Sequence, residues 1–162
     1  MDSASFCNSD LSENTVLVSA VTLYQLVRHL TAPITLVDMI KTTAMVNSGA
    51  MGNFIHPRFV ELHALVTKSC NPLTVNDVNG CLLSRVDQQV EIWMAIGNHS
   101  ETLTFDVAPL GGHNIVLGLP WLQQHDPQIH WLSGKVTFTL DYCEKHCLAL
   151  PASTFFSQHP LI

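Results

Sequence analysis

Asn47-Ser48-Gly49-Ala50-Met51-Gly52-Asn53-Phe54-Ile55 joins the apolar run Thr43-Ala44-Met45-Val46 to an apolar pair, with two glycines and two asparagines between them. Asn, Ser and Gly all favour tight turns, so on local chemistry alone the segment is a sharp loop between two strands. Gly49 lets a second backbone approach without meeting a Cβ, and Ser48 offers a hydroxyl beside it. A single change would give this loop a different character. With Asp at position 47 it would run D-S-G-A-x-G-N-F-I, and a carboxylate would stand at the mouth of the turn.

A second block lies downstream. Phe105-Asp106-Val107-Ala108 leads through Leu110-Gly111-Gly112-His113 into Asn114-Ile115-Val116-Leu117-Gly118-Leu119-Pro120-Trp121-Leu122. Ile115 to Leu117 form a continuous apolar run suited to a strand buried on both faces. Gly118 permits a sharp turn, and Pro120 falls where the first turn of a helix tolerates it. With the two blocks in this order, the chain resembles the retropepsin-like aspartic proteases of Ty3/Gypsy-type retrotransposon polyproteins, of fungal type. His125-Asp126-Pro127-Gln128-Ile129-His130-Trp131 continues the resemblance, with His130 where the family usually has Asp. The resemblance implies an all-β, retropepsin-like acid-protease half-barrel with one or two short helices. It further implies a homodimer with one loop per subunit, binding an extended peptide or polyprotein segment.

Position 47 bears on activity. Aspartic proteases activate water between two carboxylates that share a proton, because like charges about 3 Å apart cannot both ionise. Asn47 keeps the shape of the group but cannot accept a proton near neutral pH. In a homodimer both carboxylates are lost together. The expected function is therefore an inactive protease-family domain that retains a dimerisation or peptide-binding role. The alternative is an active aspartic endopeptidase that processes a Gag-Pol type polyprotein, with Asn47 an engineered inactivation, a sequencing artefact or a residue converted by deamidation to Asp. The resemblance implies that Asn47, Ser48 and Gly49 are the catalytic-loop positions and that Ala50 is a substrate contact. Asp38, Asp77 and Asp106 lack the D-[ST]-G setting needed to replace the lost carboxylate.

Between the two blocks the family places a flap over its substrate. Here Val75-Asn76-Asp77-Val78-Asn79-Gly80 leads into Cys81 to Val86 and returns along Val90 to Ile96. Asn79-Gly80 is a strong hairpin dipeptide. Asn79, Gly80, Leu82, Leu83 and Ser84 are the expected substrate-binding positions. The segment is somewhat shorter than is usual in the family, with Leu83-Ser84-Arg85 near the tip.

Composition narrows the remaining choices. At 162 residues the chain suits one core, and 47% hydrophobic with 12% charged residues argues against disorder. A net charge of -6 with no basic stripe speaks against nucleic-acid binding. No apolar run reaches the roughly 20 residues of a membrane span. Met1-Asp2-Ser3-Ala4-Ser5 lacks the build of a signal peptide, so a cytoplasmic or nuclear location is expected rather than secretion. Five cysteines, an odd count, fit reduced thiols. Cys143, His146 and Cys147 lie close together, but zinc needs four ligands, or three and water, and no second pair stands at ligand spacing. No metal and no other cofactor are expected.

Along the chain, residues 1–14 read as a loose lead-in, 15–140 as the domain and 141–162 as a linker remnant. Val16 to Leu23, Ile34 to Ile40 and Lys135 to Leu140 read as strands. Pro57 to about Leu65 reads as a helix with Phe59 and Leu62 on its apolar face.

Overall fold

The computed structural model describes residues 29–76 and 80–147. The lead-in, the expected strand at Val16–Leu23 and the turn residue Asn79 lie outside them. The first two strands, β1 (Thr31–Leu36) and β2 (Lys41–Val46), form an antiparallel hairpin. Asp38 and Met39 turn it with φ of 58° and 59°. Two successive left-handed residues cannot continue a strand, so the strand expected to reach Ile40 stops at Leu36. Alternation along β1 sends Ala32, Ile34 and Leu36 inward, following the period of two.

After the Asn47 loop come β3 (Phe54–Ile55) and α1 (Pro57–Leu62). His56 caps α1 by accepting the Arg58 N–H at Nδ1, 3.1 Å away, and Pro57 opens the first turn. Phe59 and Val60 fill the buried side of this six-residue helix, whereas Leu62 is 77% exposed. The helix is too short to bring a second turn inward, which corrects the expectation for Leu62.

β4 (Thr67–Asn76), the 15-residue β5 (Leu82–Ile96) and β6 (His99–Val107) form an antiparallel meander. Pro72 lies where the β4–β5 register shifts, on the strand at the end of the sheet order, a place that tolerates its missing N–H. β7 (Ile115–Leu117), α2 (Leu119–His125), the small hairpin β8 (Gln128–His130) and β9 (Lys135–Thr137), and α3 (Asp141–His146) complete the described chain. The last strand ends at Thr137, three residues short of its expected limit. α3 begins where a linker was read, and Cys143 and Cys147 are buried there.

The main sheet runs β1-β2-β7-β3-β6-β5-β4, and β1 also pairs with β5 through Thr35↔Ala95 and Leu36↔Met94. That extra pairing curls the sheet on itself around Leu36, Ile55, Met94, Phe105, Ile115, Leu117 and Trp121. The protein is all-β with short helices, as the sequence reading expected. Two pairings are parallel, β2 with β7 and β3 with β6. They set the geometry of the Asn47 loop.

Candidate active site

β7 lies between β2 and β3 in the sheet, yet β2 and β3 are joined directly by residues 47–53. The loop must therefore arch over the end of β7, and Gly118 is the residue beneath it. A Cβ at Gly118 would collide with the carbonyl oxygens of Gly52 and Ala50. Three bonds tie the arch to the chain below. Asn47 N donates to Leu117 O at 3.0 Å, Leu119 N to Ala50 O at 2.7 Å, and Gly118 N to the Asn53 side-chain oxygen at 3.0 Å. The turn expected at Gly118 is thus a close backbone approach, and Asn53 is a positioning residue that the sequence reading did not single out. No signal along the sequence marked it, because the backbone N–H it accepts belongs to Gly118, 65 positions away.

Within the arch the Asn47 side chain is half-buried and turns back on its own loop. Its Oδ1 accepts the Gly49 N–H at 2.9 Å, while its backbone oxygen accepts the Ala50 N–H at 3.1 Å. A Cβ at Gly49 would sit 3.2 Å from that Oδ1, so the small residue and the amide fit each other. Ser48 and Gly49 are exposed at the crest and Ala50 is half-buried. The amide oxygen makes the bond that a carboxylate oxygen could make in its place, but adds no base. The other carboxylates considered have different surroundings. Asp38 occupies the β1–β2 turn, and Asp106 accepts from Gln89 Nε2 at 2.8 Å. Asp77 lies outside the described residues.

The expected flap is the β4–β5 hairpin, with its strands differently divided. Val75 pairs with Ser84 and Asn76 with Leu82, so Leu83-Ser84-Arg85 belong to the return arm rather than the tip. That arm then runs unbroken to Ile96, because β5 is one long strand. Gly80 has φ of 80°, as a hairpin glycine should, and Leu82 and Leu83 are 65% and 60% exposed. Exposed apolar side chains on a hairpin suit contact with another surface. His130, the departure from the family's Asp, accepts the Ser133 N–H through Nδ1 at 3.3 Å and pairs with its hydroxyl at 2.8 Å. A carboxylate could fill the same role, so this substitution keeps the β8–β9 turn.

The cysteines depart from expectation. Cys70, Cys143 and Cys147 are free, but Cys81 is disulfide-bonded. An odd total never excluded a bridge. His146, grouped with Cys143 and Cys147 by spacing, is exposed and bonds to Tyr142 O. Instead, His99 and His125 meet the two thiols in the interior, and Glu101 lies beside both imidazoles. Burial would raise the Glu101 carboxyl, but contacts from His125, His99 and Trp121 outweigh it and hold it at about 2. The His125 contact has ion-pair distance, 3.0 Å, without hydrogen-bond alignment. Burial pushes the Cys147 thiol up to about 12, helped by the negative charge of Glu101. The Cys143 thiol is raised for the same leading reason. Spacing could not reveal this cluster because its members come from β6, α2 and α3.

The sequence profile of the PEG10/RTL1 protease domain family matches residues 43–147. Among solved structures, the retroviral protease-like domain of Ddi1 from Leishmania major is 20% identical with a TM-score of 0.50. That alignment covers 78% of this chain and 97% of the other. EIAV protease complexed with the inhibitor HBY-793 is 16% identical, with a TM-score of 0.47 and coverage of 62% and 90%. At such identities the first likeness is one of fold alone.

Proposed function

Because the chain belongs to the PEG10/RTL1 protease domain family, we propose that it is a retropepsin-like domain of a Ty3/Gypsy-type retrotransposon polyprotein that has lost peptidase activity and kept a dimerisation or peptide-binding role. The observation that carries this reading is the Asn47 amide. It sits in the arch over Gly118, holds the turn through Gly49, and has no proton-accepting state near neutral pH. Two copies of such a loop would supply no general base. Ser48 at the crest is positioned to bond across a dimer axis, and Leu82, Leu83 and Ser84 on the hairpin arm are the surface offered to an extended peptide. We place the C-terminal limit of the domain near Cys147 rather than at 140, since Cys143 in α3 and Cys147 at its C-terminal end are both buried. No helix among the described residues is long and apolar enough to cross a membrane.

The test is proteolysis of an unstructured protein between pH 4 and 7, with and without pepstatin. The natural chain should show no pepstatin-sensitive cleavage. Asn47→Asp should restore pepstatin-sensitive cleavage, since it returns a general base usually worth about 10²–10⁴-fold in rate. Pepstatin-sensitive turnover by a chain whose mass confirms Asn47 would instead support a working endopeptidase.

A further inference from the structure

β6 opens with His99, α2 closes with His125, and α3 presents Cys143 with Cys147 at its end. Cys143 and Cys147 are four residues apart and share a helix face, as do Trp121 and His125 on α2. His99 and Glu101 share one face of a strand. The ligand atoms of His99, His125, Cys143 and Cys147 all lie within 4.8 Å of one another. His125 Nδ1 is 3.4 Å from Cys143 Sγ and 3.9 Å from Cys147 Sγ. Around a tetrahedral zinc, with Zn–S of about 2.3 Å and Zn–N of about 2.0 Å, neighbouring ligand atoms fall roughly 3.3–3.8 Å apart. The side chains have therefore gathered to near coordination distance.

The contacts of Glu101, a hydrogen bond to His99 and an ion-pair distance to His125, say which nitrogens are left for a metal. Glu101 Oε1 lies 3.0 Å from His99 Nε2 and 3.0 Å from His125 Nε2, and it accepts from Trp121 Nε1 at 2.8 Å. Both rings thus turn Nε2 to the carboxylate. His125 Nδ1 faces the sulfurs, and His99 Nδ1 is buried with no hydrogen-bond partner. Phe138 stacks on His99 at 3.9 Å between ring centroids and holds its plane. All four residues are at most 5% exposed. Buried polar atoms normally find partners, so an orphaned imidazole nitrogen beside two buried thiols points to an absent electrophile.

We propose that His99, His125, Cys143 and Cys147 bind one zinc ion as a closed structural site, with Glu101 orienting both imidazoles. On binding, each thiol gives its proton to solvent, and the two thiolates cancel the dipositive ion. Neutral imidazoles complete the tetrahedron, so the metal and its four ligands bury no net charge. Two sulfurs and two nitrogens in tetrahedral array select zinc over harder cations. A carboxylate receiving the second N–H of a ligating histidine is the usual support for such a site. No ligand position stays open, so the ion fastens rather than catalyses. It ties the start of β6 and the end of α2 to α3, reinforcing the 2.8 Å bond from Ser100 N to Cys147 O. A cleft of about 450 Å³ bordered by His99, Cys143 and Cys147 gives the ion a way in. The site is independent of whether the Asn47 loop cleaves anything.

The experiment is metal analysis and cobalt titration of the full chain, kept reduced. The purified protein should carry close to one zinc per chain. After chelation, cobalt(II) alone should give the visible bands of a tetrahedral ion together with a thiolate-to-cobalt charge-transfer band, and zinc should abolish both. Cys147→Ser and His125→Gln should lose the spectrum, and His146→Ala should keep it. Glu101→Gln should weaken zinc binding by about 10–100-fold. Should the ligand variants fail to fold, the natural chain and His146→Ala still decide. A reduced natural chain that takes up no cobalt, or takes it up without the sulfur band, overturns the proposal. Loss of the metal in His146→Ala does the same.

Discussion

At Asn47, one side-chain oxygen is engaged by the Gly49 N–H and the backbone on either side is bonded to Leu117 and Ala50. An Asp there could keep the Gly49 bond with one oxygen and offer the other to a water, so Asn47→Asp should fold as the natural chain does. Gly118 is different in kind. Any side chain there must displace backbone carbonyls of the arch, which cannot swing aside as a flexible side chain would. Gly118→Ala is expected to cost about 1–3 kcal/mol, the range for forced overpacking, and to distort the loop. Denaturant unfolding of the two variants checks both statements: equal loss in Asn47→Asp and Gly118→Ala would mean that the arch does not depend on this contact.

Among the elements, β4 and the outer end of β5 combine good backbone pairing with poor side-chain burial. Seven paired positions hold the hairpin, yet Leu82 and Leu83 are left largely in solvent and Leu73 partly so. Side chains that bury little area contribute little to folding, at about 25 cal/mol per Å² of apolar surface removed from water. The double variant Leu82→Ser/Leu83→Ser should therefore leave the unfolding midpoint nearly unchanged. If the hairpin closes over an extended peptide, the same variant should weaken peptide binding about tenfold or more, since each buried leucine is worth roughly 1.5–3 kcal/mol. Thermal melting and peptide-binding isotherms separate the two effects. A large fall in the midpoint would show that these leucines serve the fold instead.

For the whole molecule, the proposed dimer has a pH dependence set by position 47. Two carboxylates facing each other resist double ionisation, so pairing raises the pKa of one above its value of about 3.9 in the separated chains. A raised pKa contributes stability below the unpaired value, and that contribution is lost as pH rises through the paired one. The Asn47→Asp dimer should accordingly be weaker at pH 8 than at pH 5. The natural chain, with amides that match donor to acceptor, should change little over that range. Sedimentation of both forms at the two pH values measures this, and a natural chain monomeric at both would remove the dimerisation role.

The all-β class followed from resemblance to a known family, while local chemistry in the sequence was enough to mark the loop at 47–55, the buried strand Ile115–Leu117 and the helix at Pro120. Each depends on neighbours within a few positions, where turn preference, hydrophobic period and proline geometry act directly. The limit at Leu36 was harder to read, because Asp38 and Met39 adopt left-handed backbone that no propensity demands. Tertiary structure alone decided that β7 slips between β2 and β3, which turns Gly118 from a turn residue into a contact surface. It also brought His99 and His125 to Cys143 and Cys147, while His146, nearest in sequence, points away. Side chains on separate elements meet only when the sheet has curled and the helices have docked, and no spacing along the chain encodes that distance.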